Sequence, residues 1–233
     1  MRLILFDIDG TLLWTDGVGR RAIQGALVAE AGVAGPIDHY RFDGKTDPQI
    51  VTDLLTLAGH PGAADPVLVA NVCRRYLALL EDELASAGPT THLLPGVAAL
   101  LAALEPHEAR GRALVGLLTG NLAPGAALKL RAAGVDPARF AVGAYGSDSG
   151  RRADLPAIAV RRTAERLGHH IAGRDIVIVG DTPADVACGG PIGATTLAVA
   201  TGYYDVPALR AAGATHAFPS LADTAAVLAV LLE

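Results

Sequence analysis

The stretch RLILFDIDGT, residues 2–11, decides how the rest of the chain is read. Residues 3–6 are apolar without a break and run straight into two carboxylates, Asp7 and Asp9. Successive strand residues point to opposite faces, so an unbroken apolar run implies that both faces are covered. That is a parallel strand inside an α/β sheet, and the carboxyl end of such a strand is where open α/β sheets bind ligands. Two carboxylates two residues apart repel unless a cation lies between them, and magnesium prefers oxygen ligands. Gly10 permits a close backbone approach. Taken alone, D-x-D-G also fits an Asx-type turn closing the strand.

Working outward, similar apolar runs recur at 112–119, 139–146, 175–181 and 195–201, and 216–219 can add a last short strand. Helical patterns lie between most of them, at 95–105, 124–133, 154–168 and 183–190, and Ser220 is positioned to cap a closing helix. The alternation predicts a doubly wound parallel sheet of the α/β class. One interval breaks the rhythm. Residues 15–89 hold only helical patterns: GRRAIQGALVAEAG (19–32), a helix opened by Asp47 as N-cap with Pro48 at its first position, and one opened by Asp65-Pro66. They predict a small helical cap domain, 15–89, inserted after the first strand into a core of 1–14 and 90–233. The crossings fall near 15–17 and 87–91, the latter containing Gly88 and Pro89.

Composition narrows the class. Among 233 residues, 19 basic and 24 acidic side chains leave a net charge of -5, so no basic face is offered to nucleic acid. Hydrophobic residues reach 51% with only 4% aromatic, a core of Leu, Val, Ala and Ile. Apolar stretches are interrupted before the roughly 18–20 residues a membrane span needs. Cys73 and Cys188 form no Cys-x-x-Cys pair, which argues against a disulfide framework or zinc site, and the expected setting is cytoplasmic.

Four further stretches carry chemistry. LLTGN (117–121) ends a strand with a hydroxyl, a glycine and an amide, a set that can donate to phosphate oxygens through Thr119, Gly120 and Asn121. It is also ordinary turn chemistry. In VIVGDTPAD (177–185), Asp181 ends a buried strand where it can reach the same cation as Asp7. Asp185, four residues on, can support that site or serve as a first-turn acid. GSDSGRRADLP (146–156) offers Arg151 or Arg152 as a fixed positive charge for an anionic ligand. FDGKTD (42–47) lacks the Walker A spacing, so a P-loop is rejected; its Lys45 and Thr46 could close over a phosphate ester.

Together, in order and spacing, D-x-D-G-T, a strand ending in Thr-Gly-Asn, a basic residue and G-D-T-x-x-D resemble the haloacid dehalogenase superfamily over essentially the whole chain. The inserted helices resemble the small cap of its phosphoglycolate phosphatase-like branch. The resemblance implies a Rossmann-like core and a Mg2+-dependent phosphatase acting on a small phosphate monoester, a phosphoglycolate-like compound or a sugar phosphate. It implies Asp7 as nucleophile and Asp9 as general acid and base. Thr119 with the Gly120–Asn121 backbone would hold the phosphoryl oxygens, and Gly10, Lys45 and Thr46 would line the substrate site. Magnesium would bind Asp7, the backbone carbonyl of Asp9 and Asp181, supported by Asp185. The family usually places a lysine in the third motif. R-A-D-L-P (152–156) resembles a subgroup with arginine there, which selects Arg152 over Arg151. Asp9 and Asp181 disfavour a dehalogenase. A phosphonatase, with Lys45 as its cap lysine, and a sugar-phosphate mutase remain alternatives, as does a non-catalytic binding module.

Overall fold

The computed structural model describes residues 1–86 and 91–233. Six parallel strands form one sheet: β1 (Arg2–Phe6), β4 (Ala113–Thr119), β5 (Val142–Tyr145), β6 (Ile176–Gly180), β7 (Thr195–Val199) and β8 (His216–Phe218). Their order is β5-β4-β1-β6-β7-β8. The chain therefore builds to one side of β1 first and to the other side afterwards. β1 lies at the point where the winding reverses, and the crevice at its carboxyl end is open to a ligand.

The unbroken apolar runs have the predicted cause. In β1, Ile4 and Phe6 pack with Val97, Leu100, Val227 and Leu231 on one face, while Leu3 and Leu5 pack with Leu155, Ala159, Ile178 and Cys188 on the other. Helices α4 (Val97–Ala109), α5 (Ala123–Ala132) and α9 (Thr224–Leu232) supply the first layer. Helices α6 (Leu155–Leu167) and α7 (Pro183–Gly189) cover the second.

Between β1 and α4 the described chain forms α1 (Val18–Ala31), α2 (Asp47–Leu57) and α3 (Pro66–Ser86). Their apolar faces bury Val18, Ile23, Leu27, Val51, Leu54, Val72, Tyr76 and Leu80 in a cluster of their own. A short antiparallel pair, β2 (Leu13–Trp14) with β3 (His92–Leu93), joins the flanking segments. On the incoming side Asp16 and Gly17 both adopt positive φ, 49° and 77°. Residues 87–90 of the outgoing crossing, with Gly88 and Pro89, lie outside the described residues.

Several details differ from the sequence reading. The pair β2–β3 and the short helix α8 (Val206–Ala211) were not expected. Asp223, not Ser220, caps α9 by accepting from the Ala226 N–H. Thr46, not Asp47, caps α2: Thr46 is extended (φ -91°, ψ 152°) and its hydroxyl accepts from the Gln49 N–H. Asp47 is already helical, and its carboxylate instead accepts from the Leu122 N–H of the sheet's own connection at 2.8 Å.

Candidate active site

Three carboxylates converge where β1 and β6 end. Asp7 continues β1 and donates its N–H to the Val179 carbonyl at 2.9 Å, which fixes its direction. Asp181 follows β6, and Asp185 sits in the first turn of α7. All three are buried, and ligand oxygens from each lie within 4.8 Å of one another. Asp185 forms a capping box with Thr182, accepting from its N–H at 3.0 Å and its hydroxyl at 2.6 Å. Asp181 accepts from the Thr11 hydroxyl at 3.0 Å. Gly10, at φ 77°, lies against Asp181, and a side chain there would collide with the carboxylate.

One buried cation answers these charges. Arg152 opens a 3-10 turn before α6 and reaches Asp7 at 3.0 Å and Asp185 more closely. Arg151, its neighbour, is exposed and stays outside. Burial alone would lower the affinity of Arg152 for its proton, but Asp185 and Asp7 overcome that and raise it. A single guanidinium cannot balance three carboxylates. Burial pushes Asp7 up to about 6, against the opposing pull of Arg152, and raises Asp181 well above its ordinary value. Such an all-oxygen set, short of positive charge, fits a hard divalent cation.

Thr119 and Asn121 flank Asp7. The Thr119 hydroxyl accepts from the Asn121 amide at 2.8 Å, and its nearness to Asp7 favours the charged carboxylate. Asn121 also donates to Asp9 at 2.7 Å. The Asp9 carboxylate is engaged by Asn121 and Lys129 and is not part of the acidic trio, which leaves its backbone carbonyl as the group it could offer a metal.

These groups floor a cavity of about 220 Å³ whose roof comes from the helical segment, with Trp14, Arg20, Ile23, Phe42, Ile50 and Tyr76 among its lining. The 42–47 loop seats directly on the sheet side. A side chain at Gly120 would strike the Lys45 carbonyl, the Asp47 N–H bonds the Gly120 carbonyl at 2.8 Å, and Gly44 rests on Ala184 and Thr182.

Of the residues singled out in the sequence, Asp7, Asp9, Thr119, Gly120, Asn121, Arg152 and Asp181 all line this cavity, and Gly10 and Asp185 stand directly behind it. Lys45 lines it too, but its ammonium is engaged by Tyr40 and by Asp53 at 3.4 Å. Thr46 is fully buried, caps α2 and donates to the Gly150 carbonyl at 2.8 Å, so its hydroxyl is committed to structure.

Lys129 was missed. Its ammonium holds both oxygens of Asp9, at 2.8 and 2.7 Å, and only 5% of the residue is exposed. Its signal was present: it falls on the buried face of α5 with Gly125, Ala126 and Leu130. Asp47 and Tyr76 were also missed. Burial raises Asp47 to about 6, opposed by Lys129, and the Tyr76 hydroxyl is buried without a partner among the described residues.

A family model described as haloacid dehalogenase-like hydrolase matches residues 1–193. No curated protein matches the chain. Among solved structures, a hydrolase from Pseudomonas syringae is 20% identical with a TM-score of 0.75, covering 100% of both chains. A predicted phosphoglycolate phosphatase from Haemophilus somnus is 20% identical, TM-score 0.70, covering 98% of each. CbbY from Rhodobacter sphaeroides, solved in complex with phosphate, is 22% identical, TM-score 0.67, covering 96% of each. At these identities the likeness speaks for the fold.

Proposed function

This chain belongs to the haloacid dehalogenase-like hydrolases, and from that premise we propose that it is a magnesium-dependent phosphatase of small phosphate monoesters, working through an aspartyl-phosphate on Asp7. The observation that carries this reading is the cluster of three buried carboxylates, Asp7, Asp181 and Asp185, with the buried Arg152 paired to Asp7 and Asp185, beneath a roofed cavity. Asp181, Asp7 and the Asp9 carbonyl, supported by Asp185, would hold magnesium, which when bound neutralises charge between Asp7 and an anionic phosphate.

The chain's own residues take the remaining roles. A carboxylate oxygen of Asp7 attacks phosphorus, from a residue whose backbone is fixed by the Val179 carbonyl. Thr119 and the Gly120–Asn121 backbone receive phosphoryl oxygens, and Arg152 adds a fixed positive charge beside them. Asp9 gives its proton to the departing ester oxygen and later takes one from the water that attacks the aspartyl-phosphate. Residues 15–89 act as a cap on a core of 1–14 and 90–233. A cavity of about 220 Å³ suits a small ester such as a phosphoglycolate-like compound or a sugar phosphate. Two similar structures, a predicted phosphoglycolate phosphatase and a phosphate complex of CbbY, support that substrate class.

The net charge of -5 supports a small-molecule partner rather than nucleic acid. No described helix is long and apolar enough to cross a membrane, and the two free buried cysteines fit a cytoplasmic setting. The engagement of Lys45 by Asp53 and Tyr40 weighs against a Schiff-base phosphonatase.

Phosphate release from a panel of small esters, with and without magnesium, tests the proposal. Release that needs the metal and disappears in Asp7→Asn supports it. Release that survives either change overturns it.

A further inference from the structure

Asp9 is the residue on which leaving-group chemistry turns, and the structure holds it in an unusual way. Asn121 and Lys129 both donate to Oδ2, at 2.7 Å each, while Oδ1 is shared with Lys129 alone, at 2.8 Å. Lys129 approaches from α5, where it is one of the buried residues. Its ammonium is more deeply buried than its partner: 6% of the Lys129 side chain is exposed, against 38% of Asp9. A surface ion pair of two mobile side chains would do little to orient either. A buried lysine gripping both oxygens of a half-exposed carboxylate fixes the direction of that carboxylate.

The surroundings leave the ammonium little freedom. A side chain at Gly19 would come into ordinary contact with both Nζ and the Tyr76 hydroxyl, which border the same space. Asp47 provides further negative charge nearby. A bland alternative is that Lys129 merely balances Asp9 and Asp47. That predicts a loss of stability on its removal, but no dependence on which ester is hydrolysed.

We propose that Lys129 is a positioning residue: with Asn121 it clamps Asp9 so that Oδ1 faces the ester oxygen. The inference rests on the phosphatase reading. In the step it serves, the Asp7 oxygen forms a bond to phosphorus while the bond from phosphorus to the ester oxygen breaks. That oxygen keeps the electron pair and takes the proton from Asp9. An alkyl leaving group needs the proton; an aryl leaving group such as p-nitrophenolate departs without it.

The test compares wild type, Lys129→Met and Lys129→Gln on glycerol 2-phosphate and p-nitrophenyl phosphate, alongside thermal unfolding and a crystal structure of Lys129→Met. Lys129→Met is expected to lose about 100-fold or more in kcat on the alkyl ester and less than about 10-fold on the aryl ester. Lys129→Gln, which keeps an N–H donor, recovers part of the alkyl rate. In the Lys129→Met structure the Asp9 carboxylate leaves its place beside Asn121. Equal losses on both esters, or an Asp9 that does not move, overturn the proposal. If wild type releases phosphate from neither ester, the phosphatase reading falls instead, and the position of Asp9 in the variant structure decides the role of Lys129.

Discussion

The floor and the roof of the cavity are built on different principles. The floor gathers side chains from three strand ends and one turn: Asp7 after β1, Thr119 ending β4, Asp181 after β6 and Arg152 before α6. Each is buried, and each is partnered within the floor. The roof is made by helix faces and one loop, and its polar side chains are largely used to hold the roof itself. Lys45 pairs with Asp53, Thr46 caps α2 and Asp47 ties α2 to Leu122. The floor's polar groups therefore sit at strand ends and one turn, while enclosure comes from a segment fastened down by its own polar contacts. Substitutions in the two regions should differ in kind: the floor should lose chemistry whatever happens to stability, and the roof should lose stability alone.

The largest expected effect is at Arg152. Replacing it with alanine leaves Asp7 and Asp185 without their cation, at about 3–5 kcal/mol of stability in the metal-free protein. It should also lower kcat by about 10²–10³-fold, as for loss of a positive group aimed at developing charge. Chemical denaturation and steady-state rates check both effects. An Arg152→Ala protein with ordinary turnover would erase the distinction between floor and roof.

Asp47 sharpens the contrast through pH. Its folded value is raised from 3.8 to about 6, mainly by burial. The folded state therefore holds the proton over a range where the unfolded chain has released it. Stability falls as pH rises from about 4 to about 6, by about 2–3 kcal/mol at most. Asp47→Asn keeps an acceptor for the Leu122 N–H and should flatten this part of the stability profile. Asp7 and Asp181 slope the same way in the metal-free protein, so the comparison is made in saturating magnesium. An unchanged slope would mean that Asp47 does not carry this penalty.

Thr46→Val should show the smallest effect. Losing the cap lowers stability by about 1 kcal/mol, seen as an earlier thermal midpoint, with kcat/KM within about two-fold of wild type. A tenfold rise in KM would place Thr46 among the substrate contacts and break the division between floor and roof.

The same division governs what could be read from the sequence. Asp7 and Asp181 were legible because a carboxylate that ends an apolar run has few structural reasons to be there. Arg152 was legible once the family resemblance ordered the motifs, and the structure places it inside while Arg151 stays exposed. Asp9 was legible as a residue but not as a geometry: its carboxylate turns toward Lys129, a contact 120 positions apart in sequence that spacing cannot announce. Tyr76 sits on the buried face of α3 with Val72, Cys73 and Leu80, where periodicity reads only packing. Thr46 and Asp47 are both good capping residues, and backbone conformation decides between them. The sheet was legible because coverage on both faces leaves a continuous apolar signature. The two-residue strands β2 and β3 are too short to show a period at all.

The account stands or falls on the covalent intermediate. Wild type and Asp7→Asn would be mixed with an excess of a hydrolysable phosphate ester and magnesium, quenched in acid within the first turnover, digested and examined by peptide mass spectrometry. The account predicts a phosphoryl group on the peptide bearing Asp7 in wild type and none in Asp7→Asn. Turnover in the wild type with no phosphorylated Asp7, together with undiminished turnover in Asp7→Asn, would contradict it.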